Sequence, residues 1–62
     1  MDRLETDIGW HREQLRLGKA ALRDADHPDN PTRAIEVEAL TSAILKLERT
    51  LAHLEQLKAS HN

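Results

Sequence analysis

Apolar residues recur along the chain at alternating intervals of four and three residues, in two separate stretches. In the first stretch the repeating positions are Leu4, Ile8, His11, Leu15, Gly18, Leu22 and Ala25. In the second stretch they are Val37, Leu40, Ile44, Leu47, Leu51 and Leu54. This spacing keeps one stripe of side chains on the side of an α-helix that faces a partner helix. The pattern therefore predicts two amphipathic helices, and each repeating stripe is called here the seam of its helix.

A polar segment with two prolines, Asp26-His27-Pro28-Asp29-Asn30-Pro31, separates the two stretches. Proline cannot continue a helix, and Asn30 followed by Pro31 is typical of an N-cap with proline at the first helical position. We expect helix 1 over about residues 2–26, a loop over about 27–30 and helix 2 over about 31–59. Asp2 and Glu5 have the spacing of a capping box at the start of helix 1. So short a loop predicts antiparallel neighbours.

The expected fold class is all-α: one domain over residues 1–62 that forms a two-helix antiparallel hairpin, similar to a coiled coil. Folding the chain about Pro28 and Asp29 sets Gly18 opposite Leu40 or Val37. Glycine within a helix costs roughly 1 kcal/mol relative to alanine. Gly18 therefore either marks a close approach of the helices or is merely tolerated, and the sequence favours neither interpretation.

Both helices carry apolar residues that the seams do not use. They are Trp10, Leu17 and Ala21 in helix 1, Ala43 and Leu57 beside the seam of helix 2, and Ile35, Leu45 and Ala52 farther round. A hairpin covers one stripe per helix, and each buried large apolar side chain is worth about 1.5–3 kcal/mol. We therefore expect two copies to form a homodimeric four-helix bundle. The pattern leaves open the choice between dimer and tetramer and the relative orientation of the hairpins.

The predicted self-association interface combines seam residues with residues beside the seams. Its members are Ile8, Trp10, His11, Leu15, Leu17, Ala21, Ala43, Ile44, Leu47, Leu51, Leu54 and Leu57. We expect Trp10, the single aromatic residue, to fill the dimer core rather than to contact a foreign partner. His11 is interpreted as a structural seam residue that limits register or oligomeric state, in preference to a switch that titrates near neutral pH.

Length and composition agree with a small, self-associating protein. The chain has 62 residues, a formal net charge of −2 and no cysteine, so it contains neither disulfides nor thiolate zinc sites. Below about 70–80 residues a single core rarely suffices, and oligomerisation is one remedy. The first residues, Met1 to Glu5, begin acidic and lack a long apolar run, so we expect no signal peptide. No stretch approaches the roughly 20 apolar residues of a membrane span. We expect a cytoplasmic protein without a membrane partner.

Neither a metal site nor a catalytic site emerges from the sequence. His53 and His61 are too far apart for a helical metal pair, which needs a spacing of four residues. The acidic residues between Asp24 and Asn30 lack the glycine and the terminal glutamate of a calcium loop. No nucleophile, base and orienting group fall together. We predict that the protein is not an enzyme and that it takes no metal or other cofactor.

A basic stripe, defined as Arg12, Arg16, Lys19 and Arg23, runs along helix 1 on the flank opposite Trp10. Two such stripes in a dimer could meet phosphates, although a solvated face is favoured because no aromatics lie beside the stripe and the net charge is negative. The architecture is similar in length and topology to Rop, a small RNA-binding helical hairpin that dimerises into a four-helix bundle. The loop here is longer and contains proline, and no motif is shared.

These observations favour a function in protein–protein interaction over one in nucleic-acid binding. The favoured function is a small non-enzymatic protein-interaction module, acting as an adaptor, regulator or assembly factor, whose partners are a second copy of itself and another protein. The excess of apolar surface supports it. The alternative, which the resemblance implies, is a Rop-like regulator that binds nucleic acid through the basic stripe.

Overall fold

The computed structural model describes residues 2–60, which form two α-helices packed side by side. Helix α1 spans Arg3–Ala25 and helix α2 spans Arg33–Ser60, with no strand in the described part of the chain. The helices are antiparallel, since Glu5 near the start of α1 pairs with Lys58 near the end of α2, at 3.4 Å. The all-α hairpin predicted from the sequence is thus confirmed.

Helix α1 begins with a side-chain cap at Asp2. The Oδ1 atom of Asp2 accepts a hydrogen bond from the backbone N–H of Leu4 at 3.1 Å, and the Asp2 carbonyl accepts from the N–H of Thr6 at 3.1 Å. Because the first N–H groups of a helix have no acceptor within the helix, such a cap contributes about 1 kcal/mol. The expected capping box differs in its second half, because the Glu5 carboxylate pairs with Lys58 of α2 instead.

Asn30 ties the end of α1 to the start of α2. Its Nδ2 donates to the carbonyl oxygen of Ala25 at 2.9 Å and also to the Glu36 carboxylate. Its Oδ1 accepts from the backbone N–H and from the hydroxyl of Thr32, both at 3.1 Å. One amide side chain therefore satisfies backbone groups on both sides of the turn, which would otherwise depend on water alone.

Helix α2 starts two residues after the start expected at Pro31. The N–H of Arg33 donates to the Asn30 carbonyl at 3.2 Å, which is the bond of a tight turn between residues three apart. The first helical bond between residues four apart joins the N–H of Glu36 to the Thr32 carbonyl at 3.0 Å. Pro31 and Thr32 therefore belong to the turn, and the helix begins at Arg33.

The core is the row of seam side chains between the two helices. Ile8, Leu15 and Ile44 are the buried hydrophobic residues of the described chain, with 3, 9 and 7% of their surface exposed. All other seam positions are half-buried. Two helices shield this row on two sides only, so much of the seam stays in contact with water.

Gly18 lies at a close approach of the two helices. A Cβ atom built on Gly18 would lie 3.3 Å from Cγ1 of Ile44, which is closer than ordinary van der Waals contact. The expected neighbours, Leu40 or Val37, are wrong by about one helical turn. Because the turn extends to Thr32, the chain reverses later than expected and each residue of α1 meets a residue farther along α2.

Replacing each glycine with alanine separates helix propensity from close packing. A Cβ at Gly9 meets nothing within 4 Å, so Gly9→Ala should raise the free energy of unfolding by about 0.5–1 kcal/mol. At Gly18 the same gain is offset by crowding against Ile44, so Gly18→Ala should stabilise less or even destabilise. Urea unfolding followed by circular dichroism measures both. Equal stabilisation by the two substitutions would contradict a close approach at Gly18.

Candidate interaction surface

Three ion pairs mark one side of the hairpin, called here the ion-pair flank. They are Glu5 with Lys58 (3.4 Å), Arg12 with Glu55 (2.8 Å) and Asp26 with Arg33 (2.6 Å). Glu5, Arg12 and Asp26 are separated by multiples of seven residues, so they lie on the same side of α1. Exposed pairs of this kind contribute about 0–1 kcal/mol each. Their main significance is that they show which sides of α1 and α2 lie next to each other.

The opposite side of the hairpin carries the apolar face, defined by Trp10, Leu17, Ala21, Ala43 and Leu57. Helical spacing places Trp10, Leu17 and Ala21 on the opposite side of the α1 seam from Arg12. It places Ala43 and Leu57 on the opposite side of the α2 seam from Glu55. Trp10, Leu17 and Leu57 are 56, 46 and 43% exposed. The face extends about 21 Å along α2, from Ala43 to Leu57. The fold therefore collects apolar residues of both helices into one exposed surface.

The structure divides the predicted self-association residues into three groups. The buried group, which packs between the helices of one chain, is Ile8, Leu15 and Ile44. The half-buried group in the same seams is His11, Leu47, Leu51 and Leu54. The exposed group is the apolar face. Packing within the hairpin already covers the first group, so the surface open to a second copy comes mainly from the apolar face.

His11 connects the seam to the apolar face. Its Nδ1 lies 2.7 Å from the carbonyl oxygen of Asp7, and since a carbonyl only accepts, Nδ1 carries the hydrogen and donates it. The imidazole ring packs edge-on against the indole of Trp10, with ring centroids 4.8 Å apart and planes at 78°. These contacts orient the Trp10 ring and favour the structural interpretation of His11.

Two residues of the basic stripe are paired with carboxylates. Arg12 donates to Glu55 of α2 at 2.8 Å, and Arg16 donates to Glu13 through Nε at 3.0 Å and through a second guanidinium nitrogen. This hydrogen bonding lowers the pKa of the Glu13 carboxyl below its usual value and raises the pKa of the Arg16 guanidinium. Both groups therefore stay charged at neutral pH and partly neutralise each other.

The other two residues of the stripe, Lys19 and Arg23, are exposed and form no ion pair within residues 2–60. They lie four residues apart, about 6 Å along the helix. Because affinity for nucleic acid grows with the number of phosphates neutralised, two unpaired cations per chain give a weak electrostatic contribution. The geometry of the stripe adds nothing that favours the nucleic-acid function.

The ion pairs between the helices were not predicted from the sequence. Their signal was present, since Glu5 and Arg12 flank the seam of α1 and Glu55 flanks the seam of α2, while Lys58 continues the seam of α2 four residues after Leu54. Antiparallel packing brings like flanks together, so charges of opposite sign on those flanks meet. Pairing them required the register of the hairpin, which the turn determines.

Among residues 2–60, no three or more His, Cys, Asp or Glu side chains are grouped so that they could hold a metal ion, and no pocket opens on the surface. Neither helix in this range has both the length and the apolar composition needed to cross a bilayer. His61, considered above with His53, lies outside the described residues.

Comparison of the chain with protein-family models, with curated proteins and with solved structures found no match. The features that bear on function are those of the hairpin itself: the apolar face, the ion-pair flank and the basic stripe.

A gel shift with mixed RNA and DNA at low salt tests the basic stripe. We expect no shifted band at micromolar protein, because two unpaired cations release too few counterions for stable binding. The comparison variant carries Arg16→Glu and Lys19→Glu, and it should behave like the unmodified chain. A band that weakens as salt rises and disappears in the variant would contradict this expectation and support the Rop-like function.

Proposed function

We propose that the chain is a small non-enzymatic interaction module that acts as a homodimeric four-helix bundle and binds another protein as an adaptor, regulator or assembly factor. The observation that carries the proposal is the apolar face, on which Trp10, Leu17 and Leu57 are each about half exposed on one side of the hairpin. Apolar patches on one side of a small protein usually mark an interaction site. A second hairpin, laid on this face, would supply the missing layer of the core.

The accessible surface of the hairpin supports self-association. The hairpin exposes 4971 Å². A compact monomer of its mass, 7.1 kDa, exposes about 4,100 Å² according to the scaling of surface with mass. The difference, roughly 900 Å², is close to the roughly 800 Å² that each partner buries in an interface of standard size. One interface of that size would reduce the exposed surface area of each chain to about the area expected of a compact protein of the same mass.

The side chains of the apolar face can stabilise such an interface. Full burial of a large apolar side chain contributes about 1.5–3 kcal/mol, and about half of this remains available for Trp10, Leu17 and Leu57. A symmetric dimer uses each of them twice, which gives on the order of 4–9 kcal/mol. Tryptophan is also enriched among the residues that dominate binding energy. These gains are of the same order as the about 4–15 kcal/mol that the loss of translational and rotational freedom costs on association.

Two large apolar residues lie away from the apolar face and support the second half of the proposal. Ile35 and Leu45 on α2 are 72 and 49% exposed. A dimer formed through the apolar face would leave both on the outside of the bundle. They are the large apolar side chains that another protein would contact there.

Tryptophan emission tests the dimer directly, because Trp10 is the single aromatic residue of the chain. We expect the emission maximum to move to shorter wavelength as the protein concentration rises, since association removes the indole from water. Leu17→Gln should move the midpoint of this change to at least about ten-fold higher concentration, which corresponds to about 1.4 kcal/mol.

Leu45→Gln is the matched control for Leu17→Gln. The two leucines are 49 and 46% exposed, but Leu45 lies on the other flank of its seam from Ala43 and Leu57. Its substitution should leave the midpoint unchanged. Equal effects of the two substitutions, or emission that does not depend on concentration, would contradict dimerisation through the apolar face.

A further inference from the structure

The apolar face is graded in side-chain size along the hairpin. Leu57 lies near the start of α1, as the pair between its neighbour Lys58 and Glu5 shows, and Trp10 lies in the same half of the face. Ala21 and Ala43 lie in the half nearer the turn, since Gly18 faces Ile44. The end of the face near the chain termini therefore carries two large side chains, Trp10 and Leu57, whereas toward the turn one large side chain, Leu17, is followed by Ala21 and Ala43.

This gradient distinguishes the two ways in which a symmetric pair of hairpins can face each other. With both turns at the same end, Trp10 and Leu57 of one copy would pack against the same two residues of the other copy. The alanines near one turn would pack against the alanines near the other turn. The helices would be forced apart at one end and leave a void at the other, whereas protein interiors pack without such voids. With turns at opposite ends, Trp10 and Leu57 meet the small residues near the partner's turn, and Leu17 lies near the middle of the face in both arrangements.

Charge beside the apolar face distinguishes the same two arrangements. Asp24 and Glu36 lie on this side of the hairpin near the turn, seven residues from Leu17 and Ala43 respectively. Turns at the same end would bring four carboxylates together, and like charges across an interface are unfavourable. Turns at opposite ends would instead divide the four carboxylates into two pairs at opposite ends of the bundle, each beside Arg3 and Asp7 of the partner subunit, which add no net charge.

We propose that two copies of the chain pack through their apolar faces with the turns at opposite ends, so that the half of the face with Trp10 packs on the half that carries Ala21 of the partner subunit. The proposal deepens the proposed function and rests on it, because it assigns an orientation to the dimer. Size and charge each select this orientation independently. The bundle that results keeps a constant spacing between the hairpins over their length.

Pulsed electron paramagnetic resonance on spin-labelled chains tests the orientation. The chain has no cysteine, so a single cysteine takes one label. Asp29→Cys places the label in the turn, on an exposed side chain. The two-fold axis of the proposed dimer crosses α1 about midway between Trp10 and Ala21, roughly 20 Å from the turn at about 1.5 Å per residue. Turns at opposite ends therefore predict about 40 Å between the two labels of a dimer. Turns at the same end predict less than about 25 Å, the width of two helices.

Arg49→Cys is the control, because Arg49 lies midway along α2 and its labels should be close in both arrangements. A long distance at position 29 together with a short one at position 49 supports the proposal. Short distances at both positions would overturn the orientation while leaving the dimer, and hence the proposed function, intact. If neither position gave an intermolecular distance and the labelled chains had the mass of a monomer, the dimer itself would be refuted.

Discussion

Two packed helices can bury only the single row of side chains between them, and most features of this protein follow from that limit. The row contains Ile8, Leu15 and Ile44 as its buried members, and every other seam position remains partly in water. A hairpin with so thin a core gains from any surface that covers it further. The apolar face, beside the seam, is the surface through which a second layer could be added.

The two flanks of the seam have different roles because their side chains differ. On the ion-pair flank, Arg12 and Glu55 pair with each other within one chain and stay hydrated, so these two charges have little to gain from a second copy. On the other side, Trp10 and Leu57 are exposed apolar side chains, and burying them against a partner breaks no ion pair. A single self-complementary surface on one side would close two copies into a discrete assembly, whereas two such surfaces on opposite sides would extend into open chains.

The sequence predicts the helices well because helix formation depends on local signals. The interval between Leu4 and Ile8 repeats through both seams, and Pro28 and Pro31 exclude a continuous helix. The register could not be predicted in the same way, because it depends on the hydrogen bonds by which Asn30 extends the turn to Thr32. The apolar surplus was visible in the sequence, but its collection on one side of the hairpin depends on that register.

The mass of the protein in solution tests the central claim most directly, because the proposed self-association is inferred from the thin core and the apolar face. Sedimentation velocity at micromolar concentration should find a helical species with twice the mass of one chain. A helical, cooperatively unfolding species with the mass of one chain at that concentration would show that the hairpin is stable with its apolar face in water, and would contradict the account.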